Sequence, residues 1–225
     1  MDINLKEIIN KIDKKELEDF LVDELESNTS LYNTFVSRFA NYMPDEDKNS
    51  YSTRILYAIY DAYDDDGYIN YGRTRIYMKE MYKFIEESTK LIKSKKYQQA
   101  FNLLSAILDS IPETNIDDSG GETGSVAYDC IENMNELLGH TLFDKINYKK
   151  LNDEILDYIL SEINEGCLYN YGIELIELLD NYISEEYALN KIKDVLTKRI
   201  GKRRGYRDND VNKYLDKIEN KKHSD

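Results

Sequence analysis

The sequence predicts an all-α protein: an irregular stack of antiparallel helix pairs of the tetratricopeptide or HEAT kind, with about ten helices and no sheet. Three observations predict it. Apolar residues recur at i, i+3, i+4 and i+7 through nearly the whole chain. Helix breakers are rare, with two prolines and ten glycines among 225 residues. No run of residues alternates apolar and polar with period two, as a half-buried strand would.

The helices are read in order from their stripes. Leu5, Ile8, Ile9 and Ile12 form a first short one. Asp13 is placed to cap the next helix, which is expected to bury Leu17, Phe20, Leu21 and Leu25. After a break at Asn28 and Thr29, a third stripe holds Leu31, Phe35 and Phe39. Tyr51, Ile55, Ala58, Ile59 and Ala62 mark a fourth. A long helix then carries Tyr77, Met81, Phe84, Ile85, Ser88 and Ile92, and a polar KSKK turn leads to Tyr97, Ala100, Phe101, Leu104, Leu108 and Ile111.

Beyond the loop ETNIDDSGGETG, Val126, Cys130, Met134 and Leu137 define a helix with Gly139 placed as its C-terminal stop. Leu151, Ile155, Ile159 and Ile163 follow, with Gly166 as the next stop. Ile173, Ile176, Leu179 and Ile183 make another stripe, and Tyr187, Leu189, Ile192, Leu196 and Ile200 one more. GKRRG breaks it, and Val211, Tyr214, Leu215 and Ile218 mark a last amphipathic piece. Because each helix has one apolar stripe, each must pack on others. No strict repeat near 34 residues is present, so the stack is irregular. Residues 1–200 are read as the helical-repeat domain and 201–225 as a basic turn and C-terminal amphipathic tail.

Composition narrows function. The formal net charge is −14, which repels nucleic acid and anionic lipid and makes a nucleic-acid partner unfavoured. No apolar run approaches the roughly 20 residues of a membrane span, and the charged N-terminus has no signal-peptide core. The chain reads as cytoplasmic, with Cys130 and Cys167 as its two cysteines in a reducing compartment. Two histidines, His140 and His223, leave His-based chemistry poorly supplied. No phosphate-binding glycine loop, nucleophile elbow or metalloprotease signature occurs.

Two acidic loops are the candidate ligand sites. In YDDDGYINYGR, setting Gly67 at position six of a calcium loop puts Asp66 at five, Asp64 at three and Ile69 at eight. Position one is then Ala62 and position twelve Arg73, where the loop needs an oxygen ligand and a bidentate glutamate. The competing reading is a Gly67 turn after which Tyr68, Ile69 and Tyr71 dock the chain on the core. In the second loop, Asp117, Asp118 and Glu122 precede a helix start, where carboxylates either cap free N–H groups or converge on a ligand. The basic run KRIGKRRGYR, Lys198 to Arg207, reads as a solvated helix end or an acidic-partner contact.

The two loops taken together resemble the helical region that accompanies SWIM zinc-finger proteins. That region has a Gly-aromatic-Ile/Val-Asp-Tyr turn, a helix pair, an Asp-Asp-Ser-x-Gly-Glu loop and a further helix. Here the turn is Gly67-Tyr68-Ile69-Asn70-Tyr71 and the loop Asp117-Asp118-Ser119-Gly120-Gly121-Glu122. The upstream ELEDFLVDELESNTSLYNTFVSRF is similar to the helices that precede them, and the likeness covers roughly residues 15–180. Asn70 stands where the family's turn has an acid, and the finger's Cys-x-Cys and Cys-x-His pairs are missing. The resemblance therefore implies a tetratricopeptide-like scaffold without zinc. The expected function is a non-enzymatic scaffold for a protein or peptide partner, needing no cofactor. The alternatives are a metal or small-ligand site built on Asp64, Asp66, Asp117, Asp118 and Glu122, and nucleic-acid association through the basic run.

Overall fold

The computed structural model describes residues 5–165, 172–200 and 208–221. Eleven α-helices follow one another in the described residues. They are α1 (Leu5–Ile9), α2 (Lys14–Ser27), α3 (Thr29–Arg38), α4 (Lys48–Ile59), α5 (Thr74–Lys93), α6 (Tyr97–Glu113), α7 (Glu122–Phe143), α8 (Lys145–Glu165), α9 (Gly172–Leu178), α10 (Glu186–Arg199) and α11 (Asp208–Lys221). Single 3₁₀ turns extend or join them at Ala40–Tyr42, Tyr60–Ala62, Tyr71–Arg73 and Leu179–Tyr182. The described residues contain no named strand; Ile69 and Ile116 form an isolated parallel bridge.

Helix α6 is the centre of the stack, packing against α4, α5, α7 and α8. Its segment YQQAFNLLSAIL can take that place because small and large residues are apolar around most of its circumference. Ala100, Leu103, Leu104, Ala106, Ile107 and Leu108 are all shut off from solvent. Each large aliphatic side chain so buried stabilises the fold by about 1.5–3 kcal/mol relative to exposure. Helix α5 shows a sharper division: Tyr77, Met81, Phe84, Ile85 and Ile92 face the core, and Arg75, Lys79, Glu86 and Lys93 share the outer face with Ile76 and Tyr82. A short polar turn with Lys95 at φ +61° folds α6 back on α5. Further along, α7 packs on α5, α6 and α8, and α8 on α9 and α10. A kink at Tyr148 (φ −112°, ψ 18°) bends the first turns of α8.

Caps follow the polar residues that interrupt the stripes. Asp13 accepts the N–H of Lys15 at 2.8 Å, Asn28 that of Leu31 at 2.9 Å, and Asp47 that of Ser50 at 2.8 Å. Each satisfies a donor that the first helical turn leaves free.

Where side chains are described, the core stripes from α4 onward are buried or half-buried as the periodicity predicts, with Tyr187 on α10 and Ile200 just past its end as exposed exceptions. The N-terminal third differs. Leu5, Ile8, Ile9 and Ile12 are exposed, and α2 buries nothing fully: Phe20 is 59% and Leu21 39% exposed, with Leu17 and Leu25 half-covered. On α3 the inward face is Asn33, Val36 and Ser37 rather than Leu31, Phe35 and Phe39. The reason is polar. Ser30 bonds Glu80 at 3.0 Å, Lys83 reaches the Ser30 carbonyl at 2.9 Å, and Ser37 donates to the Lys83 carbonyl at 2.9 Å. These bonds fix the face that α3 turns towards α5, and Leu31 and Phe39 are left at the surface.

Two further expectations change. Gly139 does not end its helix; α7 runs through it to Phe143. An internal glycine costs about 1 kcal/mol, and the burial of Leu137, Leu138 and Thr141 around it offsets this. Tyr71, expected to dock, is 67% exposed, whereas Ile69 is fully buried and Tyr68 partly so. The proposed stop at Gly166, Cys167, most of the basic run and His223 lie outside the described residues.

Candidate functional site

The structure brings the two acidic loops together, and it does so through their backbones. Gly67 takes φ +72°, a left-handed conformation that suits glycine. The turn it makes returns the chain so that Ile69 lies beside Ile116. The N–H of Ile69 donates to the Asn115 carbonyl, and the Ile69 carbonyl accepts the N–H of Asp117, both at 2.8 Å.

The carboxylates are occupied locally. Asp64 accepts the backbone N–H of Tyr68 at 2.9 Å and of Asp66 at 3.2 Å through one oxygen, and the Asn70 amide at 3.3 Å through the other. The N–H of Tyr68 is the main cause that holds the Asp64 carboxyl below its ordinary range. Arg73 donates to the Tyr63 carbonyl, so a guanidinium closes the loop where a calcium loop needs a glutamate. Asp66 is exposed and contributes its backbone.

In the second loop, Asp118 accepts both the N–H and the hydroxyl of Thr123, at 2.8 and 2.6 Å. Asp117 accepts the N–H of Ser119 at 3.1 Å, and Glu122 that of Gly120 at 3.1 Å. Glu122 is the first residue of α7 and Gly121, at φ +76°, precedes it. The Asp118 bonds satisfy a donor in the first turn of α7, and the other two hold the turn that leads into it. Among the described residues, no three His, Cys, Asp or Glu side chains are grouped as metal ligands would be.

His140 is a surface residue, stacked on the Tyr97 ring with centroids 5.8 Å apart and 4.0 Å from Glu136. Of the basic run, Lys198 pairs with Asp194 at 2.6 Å on α10.

A second arrangement was not anticipated from the sequence: an open groove of about 440 Å³ lined by residues of α2, α3 and α4 and by Met43. Val22 and Leu25 of α2 form one wall. Tyr32 and Phe35 of α3 form another, and Tyr57 of α4 stands at the edge, 66% exposed. The aromatic surface continues past it, with Phe35 and Phe39 at 4.7 Å between ring centroids and Phe39 and Tyr42 at 6.5 Å. Its charged members are Glu26 and Arg54. The apolar stripes of α2 and α3 were legible in the sequence, but that they stand together uncovered depends on tertiary contacts.

Arg54 is held beneath the groove by two carboxylates. Its guanidinium meets Glu87 at 2.8 and 3.1 Å and Glu46 at 2.9 Å, and it lies 5.4 Å from the Tyr51 and Phe84 ring centroids. Burial drives the Glu87 carboxyl above its ordinary value, against the pull of Arg54. This pairing pins α4 to α5 and so fixes the groove's position on the core.

A separate depression of about 450 Å³ lies between α7, α8 and α10, with Lys145 and Glu185 paired across it and Tyr182 and Tyr187 among its walls. It is the more polar of the two.

Fold and site together define an all-helical protein with an apolar, aromatic-rimmed surface groove. No described helix is long and apolar enough to cross a membrane. In comparison with known proteins, the chain matches no family model, no curated protein and no solved structure.

Proposed function

We propose that the chain is a non-enzymatic helical scaffold that binds a protein or peptide partner. The observation that carries this reading is the groove between α2, α3 and α4. Apolar side chains line it and exposed tyrosines rim it, the composition that concentrates binding energy in protein interfaces. A helix laid in an apolar groove is a common mode of peptide recognition, and helix stacks present such grooves readily. The resemblance to the helical region of SWIM proteins agrees with a scaffold role. The carboxylates of Asp64, Asp117, Asp118 and Glu122 accept nearby backbone N–H groups, which favours a structural part for them over ligand binding.

The test is affinity capture from a native lysate with the immobilised full chain, beside a Tyr32→Ala/Tyr57→Ala variant. Both positions are exposed, so the variant should fold. The expected result is a protein retained in near-stoichiometric amount by the wild type. Retention of no protein above the level of a heat-denatured control would sink the proposal.

A further inference from the structure

We infer that the occupant of the α2–α3–α4 groove is a short segment of another protein that combines apolar anchors with Lys or Arg side chains. This rests on the scaffold reading and adds the chemistry of the partner.

Charge is the first argument. Helices α2 and α3 together carry six carboxylates, Glu16, Glu18, Asp19, Asp23, Glu24 and Glu26, against three cations, Lys14, Lys15 and Arg38. All but Glu24 are well exposed. Glu26 lines the groove beside Val22 and Leu25, and the other carboxylates lie along the same helix. The apolar wall therefore belongs to a helix of net negative charge. A partner with the complementary pattern gains attraction at the rim while it buries apolar surface within.

The cation beneath the groove does not reverse this. Arg54 is bonded by both Glu87 and Glu46, so the cluster carries more negative than positive charge. The aromatic residues point the same way: Tyr32, Tyr42 and Tyr57 are exposed rings, and tyrosine faces attract Arg and Lys. A second copy of this chain fits poorly, because two bodies of net charge −14 repel.

The experiment titrates the full chain into three fluorescent synthetic peptides and follows anisotropy. One carries Leu at helical spacing with Lys elsewhere. A second keeps the Leu pattern with Glu in place of Lys. A third keeps the Lys and replaces Leu with Gly. The Leu/Lys peptide should bind at least about tenfold more tightly than either other, and weaken as salt is raised. Tyr32→Ala/Tyr57→Ala should weaken it about tenfold or more, as should Asp19→Lys/Asp23→Lys/Glu26→Lys. Tyr187→Ala, in the other depression, should leave it unchanged.

Equal binding by the groove variants, or by the Lys/Gly peptide, would show general attraction to an acidic surface and overturn the inference. Preference for the Leu/Glu peptide with dependence on Tyr57 would overturn the partner's charge and leave the scaffold reading standing. A dimer in sedimentation velocity that the tyrosine variant abolishes would assign the face to a second copy instead. No binding of any peptide, together with a lysate partner whose capture ignores the groove variants, would remove the groove and not the scaffold.

Discussion

Ile69 and Ile116 pair in parallel across the two acidic loops, with the N–H of Ile69 on the Asn115 carbonyl and its carbonyl accepting the N–H of Asp117. Forty-odd residues, including the whole of α5 and α6, separate the partners. The bridge therefore closes the α5–α6 hairpin at its open end. Ile69 is fully buried, so the seam is held by packing as well as by two hydrogen bonds.

Truncating this side chain should be costly for that reason. Ile69→Ala is expected to lower stability by about 2–5 kcal/mol, and Ile69→Val by about 0.5–1.5 kcal/mol. Urea denaturation followed by circular dichroism measures both. An Ile69→Ala loss no larger than that of Ile69→Val would mean that the loops are not docked as described.

The Asp64 carboxylate gives the first loop a pH dependence of known sign. Its folded pKa lies below the ordinary 3.8 because backbone N–H groups, that of Tyr68 foremost, bond the charged form. A depressed carboxyl contributes stability that is fully present above the unfolded value and lost as pH falls through the folded one. The carboxyl-carbon titration of Asp64 by NMR should therefore show a midpoint below 3.8, and Asn70→Ala should raise it. A midpoint at or above 3.8 in the wild type would contradict the bonding pattern.

Calcium should find no site in these loops. Each of Asp64, Asp117, Asp118 and Glu122 already accepts a backbone N–H in its own loop. Arg73 brings a cation to the closing position, where Ca²⁺ requires a bidentate carboxylate. Isothermal titration with calcium up to the order of millimolar, the weakest range of known extracellular modules, should give no saturable heat. A saturable, enthalpic isotherm abolished by Asp64→Asn would show that the loop rearranges around the ion.

The fold class was legible because helical periodicity acts within one segment, and the stripes of α5 to α8 contain little else. Gly67 and the departures at Ala62 and Arg73 likewise showed in the sequence that the first acidic loop lacks calcium's end ligands. What periodicity could not show is which partner a stripe meets. Leu31 and Phe39 belong to a predicted stripe and stand exposed, because α3 turns Asn33, Val36 and Ser37 inward under the pull of Ser30 and Ser37 on Glu80 and Lys83. That rotation is set by residues some fifty positions apart, beyond the reach of any local window. Gly139 misled for the same reason: its helix continues because flanking residues find tertiary partners. The approach of the two acidic loops was a long-range fact too, and so was the groove.

The pairing of Arg54 with Glu87 should behave as a buried ion pair whose separate halves are harmful. Glu87 is 2% and Arg54 12% exposed at the side chain, and they meet through two hydrogen bonds between the rings of Tyr51 and Phe84. Removing the cation alone, as in Arg54→Met, leaves Glu87 an uncompensated carboxylate and should cost about 3–5 kcal/mol at neutral pH. Replacing both, as in Arg54→Met/Glu87→Leu, removes the desolvation cost along with the attraction, so much of that loss should return. The sign of the pH response separates the two explanations of any loss. Burial raises the Glu87 carboxyl above its ordinary 4.5, and without Arg54 only the lesser pull of Lys90 opposes that rise. The native state then binds the proton more tightly than the unfolded chain. Stability of Arg54→Met should increase as pH is lowered through the folded value towards 4.5. Urea midpoints of the two variants across that range make the comparison. A single-variant loss that ignores pH would indicate lost packing of the Arg54 stem between Tyr51 and Phe84 rather than a stranded charge.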